Sequence, residues 1–376
     1  MKTAVRLSLF SLAATLVLLY VNCTTQVKPE IAIIPKPSRV DLAKGWYEIT
    51  PRTVIALSGD QAELQPLAAY VSEALFPGIN LPMPVREHRS GELPDSGMFF
   101  RLDEKSEWGD EGYELAIRPQ GIYICANKTA GIFYAIQSLR QLLPIPPAVP
   151  AASNQANLRV PCLTIRDKPS SQWRGLMLDC SRTFLSRAYI FRYIDLLAMY
   201  KLNVLHLHLT DDQGWRLEIR KHPRLTEIGS RFASGYAGER NGYYSQQDIR
   251  EIVEYAALRH ITIVPEIEMP GHATALLAAY PELSCNGRKH EIFPFFQGPA
   301  VTRDILCAGN EAVFSVMTDV LAEVMELFPS RYIHVGGDEA PKERWQACPK
   351  CQQRLKEEGL QDRKSTRLNS SHGKLS

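Results

Sequence analysis

The sequence predicts a (β/α)8 TIM barrel of which only about the first four β/α units are present, preceded by a small α+β domain. Three observations lead there. From Arg174 onward, short apolar strand signals alternate with amphipathic helix signals, a pattern that implies a parallel sheet covered by helices. Polar side chains gather after each strand signal, at the end where such barrels carry their sites. Before Arg174 the pattern differs: strand-like runs broken by Gly, Pro and Asp surround one plain helix.

In chain order, Lys2 and Arg6 precede an apolar run from Leu7 to Val21. That run is shorter than the roughly 20 residues a spanning helix needs, so residues 1–23 read as a secretory signal. Cys23 follows directly and resembles the cysteine of a bacterial lipoprotein signal, with ordinary cleavage nearby as the alternative. The protein is therefore expected to be exported, whether periplasmic, secreted, or on the cell surface through a lipid anchor at Cys23.

Residues 31–166 form the first domain. Val54–Leu57, Tyr113–Ile117 and Ile122–Cys125 are strand-like, and Ile132, Ala135, Ile136, Leu139 and Leu143 share one helical face. The Pro-rich stretch 144–150 closes that helix. This domain shows no catalytic constellation and reads as a support.

Residues 170–361 carry the barrel pattern. Leu176–Leu178 is the first strand signal. Ser186 is placed to cap a helix with Ile190, Ile194, Leu197 and Ala198 on its inner face. Val204–Leu209 is the second strand. Ser245 with Asp248 makes a capping box before Ile249, Ile252, Val253 and Ala256. Ile261–Val264 is the third strand. A long helix carries Val313, Val316, Val320 and Val324. Ile333–Gly336 is the fourth strand, and a last helix spans about Trp345–Leu360. Four strands fall short of eight, and the segment falls short of the roughly 250 residues of a full barrel. Residues 362–376 look foreign: Asp362–His372 resembles the direct translation of a common short-read sequencing adapter, so the tail is set aside from fold reasoning.

The bulk composition narrows the partners. Of 376 residues, 45% are hydrophobic and 22% charged, an ordinary globular mixture. Lys plus Arg is 43 against Asp plus Glu 41, so nothing argues for nucleic acid or for an acidic solvating tail. In an exported protein some cysteines are expected to pair, and Cys285 with Cys307, flanking one long loop, is the best candidate bridge. Cys348-Pro-Lys-Cys351 has metal-ligand spacing, but no second pair or His cluster accompanies it in the sequence. A small disulfide or two free thiols is the favoured expectation there.

The chemistry concentrates at the strand ends: Asp179 and Arg182, then Asp211 and Asp212, then Glu266, Glu268 and His272, then Asp338 and Glu339. Strand alternation turns His206 and His208 inward. Asp338 and Glu339 follow an apolar strand and two glycines. Two carboxylates in one pocket do not ionise equally, and one held protonated suits cleavage of a glycosidic bond.

Four ordered motifs, Arg174–Arg182, His206–Trp215, Pro265–His272 and Arg331–Ala340, resemble those of family 20 glycoside hydrolases, the β-N-acetylhexosaminidases. The resemblance runs from about Ile34 to Gln361, with Glu268 standing where Asp is frequent. It implies a small domain before a barrel, a retaining exo-hydrolysis of terminal β-linked N-acetylhexosamine from glycans, and no cofactor or metal. The substrate's 2-acetamido oxygen serves as nucleophile, the exception to the two-carboxylate scheme. By resemblance, Glu339 is the general acid and then base, Asp338 orients the acetamido group, and Arg182 binds sugar hydroxyls. Asp211 and His272 form a buried network behind Glu339, and His208 supports that wall.

Two other functions fit some of the same residues. A metal-dependent amidohydrolase-type barrel would use His206, His208 and His272 as ligands, but leaves the Asp338–Glu339 pair unexplained. A non-catalytic sugar-binding protein would keep Arg182 and have no need of Glu339. As it stands, the partial barrel is expected to be inactive or unstable, because half of the pocket wall is absent.

Overall fold

The computed structural model describes residues 31–50, 52–75, 83–88, 96–103, 107–143, 158–232, 241–297 and 302–360. The signal-like segment with Cys23, the Pro-rich stretch 144–150 and the tail 362–376 lie outside the described residues.

The first domain is a mixed seven-stranded sheet. It contains β1 (Arg39–Ile49), β2 (Ile55–Ser58), β3 (Val85–Glu87), β4 (Gly97–Leu102), β5 (Tyr113–Arg118), β6 (Gly121–Ala126) and β7 (Leu158–Asp167), in the order β1-β7-β5-β6-β4-β2-β3. Helices α1 (Gln61–Leu75) and α2 (Thr129–Leu142) pack on one face. Alternate residues of the central strands, Ile55 and Leu57, Met98 and Phe100, Leu115 and Ile117, Ile122 and Ile124, are buried in this core. Helix α2 is more deeply buried than an amphipathic stripe requires, with every residue from Gly131 to Leu139 covered.

The second part begins with three parallel strands, β8 (Gly175–Asp179), β9 (Val204–His208) and β12 (Thr262–Glu266), ordered β8-β9-β12. Between β9 and β12 lie the hairpin β10 (Thr210–Asp211) and β11 (Gly214–Trp215) and the short helix α4 (Arg224–Glu227). The crossovers are helical, as parallel pairing requires. Helix α3 (Arg187–Met199) buries Ile190, Ile194, Leu197 and Ala198, the four positions its periodicity marks, and the Ser186 side chain accepts from the Tyr189 N–H. Helix α5 (Gln246–Ala257) opens on the full Ser245–Asp248 capping box. Helix α6 (Thr274–Ala279) follows β12, and α7 (Glu311–Leu327) buries Val313, Val320 and Val324, with Val316 half-buried.

Three expectations need correction. The fourth strand is reduced to a bridge: His334 pairs with Glu266, with hydrogen bonds from His334 N–H to Pro265 O, Ile267 N–H to His334 O and Met269 N–H to Val335 O. Gly336 (φ 62°) and Gly337 (φ 99°) leave the extended region immediately afterward and end the pairing. The last helix is two, α8 (Glu343–Ala347) and α9 (Pro349–Glu357), broken at Cys348, whose extended backbone is what the following proline favours. Finally, the sulfurs of Cys285 and Cys307 are not bonded to each other, and Cys348 and Cys351 pack against the same two sulfurs.

The two parts are joined through buried and half-buried charge. Arg174 grips Glu111 bidentately at 2.7 and 3.0 Å and reaches the Tyr134 hydroxyl at 3.1 Å. The Lys201 ammonium donates to Asp167 and to the Tyr113 hydroxyl. The first domain thus clamps the N-terminal ends of β8 and β9, opposite the ends that carry the polar residues.

Candidate active site

Strand register places the site. Asp179 is paired with His208, His208 with Glu266, and Glu266 with His334, so four polar side chains stand in one row across the C-terminal strand ends. Above that row opens a cleft of about 280 Å³ lined by Met177, Arg182, His208, Glu268, His272 and Asp338, among others.

Arg182 crosses one end of the cleft. Its guanidinium lies 3.1 Å from Asp179 and 2.9 Å from Asp211, and its backbone N–H donates to Asp179 as well. The arginine is thus both paired and cleft-lining. Asp211 in turn contacts His208 Nε2 at 2.8 Å and His272 Nδ1 at 3.3 Å. The other ring nitrogen of His272 lies 3.6 Å from Glu339 Oε2. One side-chain chain therefore runs from Arg182 through Asp211 and His272 to Glu339. Asp338 and Glu339 each bring an oxygen within 4.8 Å of the His272 ring and of one another. Asp338 faces the cleft, and Glu339 sits at its rim with 59% of its side chain exposed.

A profile of the glycosyl hydrolase family 20 catalytic domain matches residues 172–371, and one of domain 2 of the same family matches residues 30–168. The chain belongs to glycosyl hydrolase family 20. It is 42% identical over 335 residues to a β-hexosaminidase of Porphyromonas gingivalis, covering 88% of this chain and 42% of that one. Among solved structures it is similar to a β-N-acetylhexosaminidase of Bacteroides fragilis (TM-score 0.74, 36% identity, 88% of this chain, 61% of that one). It is similar also to a mutant Streptomyces plicatus β-hexosaminidase in complex with its product GlcNAc (TM-score 0.75, 39% identity, 88% and 63%). The chain spans less than two thirds of each. Family membership removes the amidohydrolase-type barrel.

In this family 20 chain the buried charges order one another. His208 lies between Glu266 (Nδ1, 2.7 Å) and Asp211. Burial opposes its protonation, but the two carboxylates outweigh that and push it up to about 10. Hydrogen bonds to Asp211 and Asp212 raise His272 to about 11. Burial would raise Asp211, yet His208, His272 and Arg182 hold it well below the usual carboxylate range. A raised histidine contributes stability in full below its unfolded value near 6.5, and loses it as pH rises past the folded value. The network therefore stays charged through neutral pH, while its contribution to stability declines from about pH 6.5 upward and is lost by about pH 10 to 11.

Glu266 and Glu268 divide one proton. Glu266 also faces His206 and His334, each at 2.7 Å, and is held ionised despite its burial. These groups bring metal-ligand atom types together, but each imidazole there already has a carboxylate as its neighbour. Glu268 is raised by burial and then by ionised Glu266. A carboxyl with a raised folded value contributes stability below its unfolded pKa, about 4.3, and loses it as pH climbs. Glu268→Gln, which mimics the protonated acid, is expected to gain stability relative to the parent as pH rises from about 5 to 8. Urea midpoints across that range check this.

Glu268 also positions the Asp338–Glu339 segment. It accepts the Gly337 N–H at 3.3 Å, and a Cβ at Gly336 would sit 1.6 Å from its carboxylate. Glu339 itself has φ 44°, an uncommon left-handed backbone for a residue with a side chain, which turns its carboxylate toward His272. Sequence reading gave Glu268 no such role. Arg216 escaped it altogether: fully buried, it donates to the carbonyls of Ser181, Gln213, Ser230 and Gly242, which sets the backbone beside Arg182. No periodicity or motif marks a buried arginine whose partners are all backbone.

Proposed function

We propose that the complete-barrel protein removes terminal non-reducing β-linked N-acetylhexosamine, GlcNAc or GalNAc, from glycans with retained configuration, the substrate's 2-acetamido group acting as nucleophile. The observation that carries this is the convergence of Asp338, Glu339 and His272 at the barrel mouth. An adjacent pair, one carboxylate to give a proton and one to orient the acetamido group, suits the substrate-assisted exception among glycosidases. Glu339 protonates the leaving oxygen and later activates water. Asp338 accepts the acetamido N–H and steadies positive charge on the oxazolinium. Arg182, already oriented by Asp179 and Asp211, binds sugar hydroxyls. Asp211 and His272 back Glu339, and His208 holds Asp211 in place.

An aryl N-acetyl-β-glucosaminide should be cleaved with the β-anomer of GlcNAc appearing first by NMR, and the aryl β-glucoside lacking the acetamido group should resist. Comparable rates on both would sink this reading.

We further propose that the chain holds about four of eight barrel units and is inactive alone. Among the described residues, β8 and the His334 segment each pair on one side only, and Leu176 and Met177 are about half exposed. Turnover of the same glucosaminide by residues 1–361 would contradict this. Export, with or without a lipid on Cys23, fits a glycan-degrading role; fractionating cells with and without Cys23 distinguishes anchoring from release.

A further inference from the structure

Outside the charged cleft, four sulfurs converge. An antiparallel bridge between Ser284 and Leu306 brings together the two segments that carry Cys285 and Cys307. Against them packs the Cys348-Pro-Lys-Cys351 turn at the start of α9. Cys307 Sγ lies 3.8 Å from Cys348 Sγ and 3.6 Å from Cys351 Sγ, and Cys285 Sγ lies 3.8 Å from Cys351 Sγ. All four sulfurs fall within 4.8 Å of one another.

These separations discriminate between pairings. Bonded sulfurs lie about 2.05 Å apart. Four sulfurs arranged tetrahedrally at about 2.3 Å from one zinc ion lie about 3.8 Å from each other. The surroundings agree with a metal site. The backbone N–H of Gly309 donates to Cys351 Sγ at 3.3 Å. Such a donor stabilises a thiolate and orients it. Gly309 lets the two loops touch: a Cβ there would meet the Lys350 carbonyl carbon at 2.2 Å. Cys307, Cys348 and Cys351 are buried and Cys285 half-buried, so four ligands would close the coordination shell and leave no position for substrate.

We propose that Cys285, Cys307, Cys348 and Cys351 bind one zinc ion as a structural tetrathiolate. Four thiols lose four protons as the metal enters, and zinc undergoes no redox change. The sequence expectation treated the Cys348–Cys351 pair as unaccompanied; the fold supplies the second pair. The ion would fasten the segment after Asp338–Glu339 to the long loop between Cys285 and Cys307. That loop brings Phe295 to 5.8 Å from the Arg182 guanidinium, and Trp345 Nε1 already ties α8 to Leu306 O at 2.8 Å. Zinc would therefore pin two rims of the cleft without touching its chemistry.

The test is elemental analysis of protein purified without chelator, paired with mass spectrometry under non-reducing conditions. About one zinc per chain is expected, retained on dialysis, with these thiols alkylated only after the metal is stripped. Stripping should also lower the melting temperature by several degrees. Cobalt grown into the site should give the intense visible absorption of a tetrahedral thiolate complex. The double variant Cys348→Ser, Cys351→Ser should lose the metal. Should that variant fail to fold, metal content and thiol state of the unaltered chain decide by themselves. Two disulfides among these cysteines, or four free thiols with no metal, would overturn the proposal. So would full zinc content in the double variant.

Discussion

Glu339→Gln in the complete-barrel protein is expected to lower kcat/KM for a substrate with a poor leaving group by about 10²–10⁴-fold, the range for a lost general acid. Glutamine keeps the shape and the contact with His272 but has no proton to give the glycosidic oxygen. The loss should shrink as the leaving group becomes more acidic, because an oxygen that departs unprotonated needs no acid. kcat/KM is the quantity to follow, since it reports the first irreversible step and excludes the later attack of water. Binding of GlcNAc should survive, which also separates the enzyme from a sugar-binding protein: in the latter nothing depends on Glu339. An equal loss across all leaving groups would remove Glu339 from the acid role.

Asp338→Asn is expected to cost about 100-fold or more, the scale on which charge-stabilising groups act in a water-poor site. Here the leaving group should make no difference. The acetamido oxygen displaces the leaving group in every case, and an uncharged amide, though its carbonyl oxygen can still accept the N–H, does not steady the charge of the oxazolinium. The two variants therefore carry opposite signatures in one experiment. Full activity in Asp338→Asn would refute substrate assistance through this residue. Both carboxylates hang on a segment shaped by Gly336, Gly337 and the Glu268 clasp, so Glu268→Gln, which keeps a hydrogen-bond acceptor, should disturb either signature far less.

The local level was legible. Ile190, Ile194, Leu197 and Ala198 are the buried face of α3, and Ser245 with Asp248 opens α5, because spacing along a helix and the chemistry of its first turn are short-range properties. Helix α1 was obscured by Pro66 in its interior, which the buried face of Leu64, Leu67, Ala68 and Val71 overrides. Of the site, the strand-end residues could be read, since inward-facing positions repeat with period two. His208 was read only as a support. That it joins Asp211 to Glu266 depends on the register of β8, β9 and β12, which no single strand encodes.

By itself the sequence determined several of the elements with their caps, the order of the polar strand ends, and the family those motifs imply. Periodicity, capping and turn residues act over a few positions and are written in any short window. Only the tertiary structure decided which distant groups share a proton, a charge or a metal-sized space. Glu266 is held ionised because three histidines from two other segments each lie 2.7 Å from it, while burial and that neighbouring charge raise Glu268. Cys285 meets Cys351 because one bridge and one proline-broken helix aim them at the same point. Such contacts depend on how whole elements pack, and packing is a property of the assembled chain.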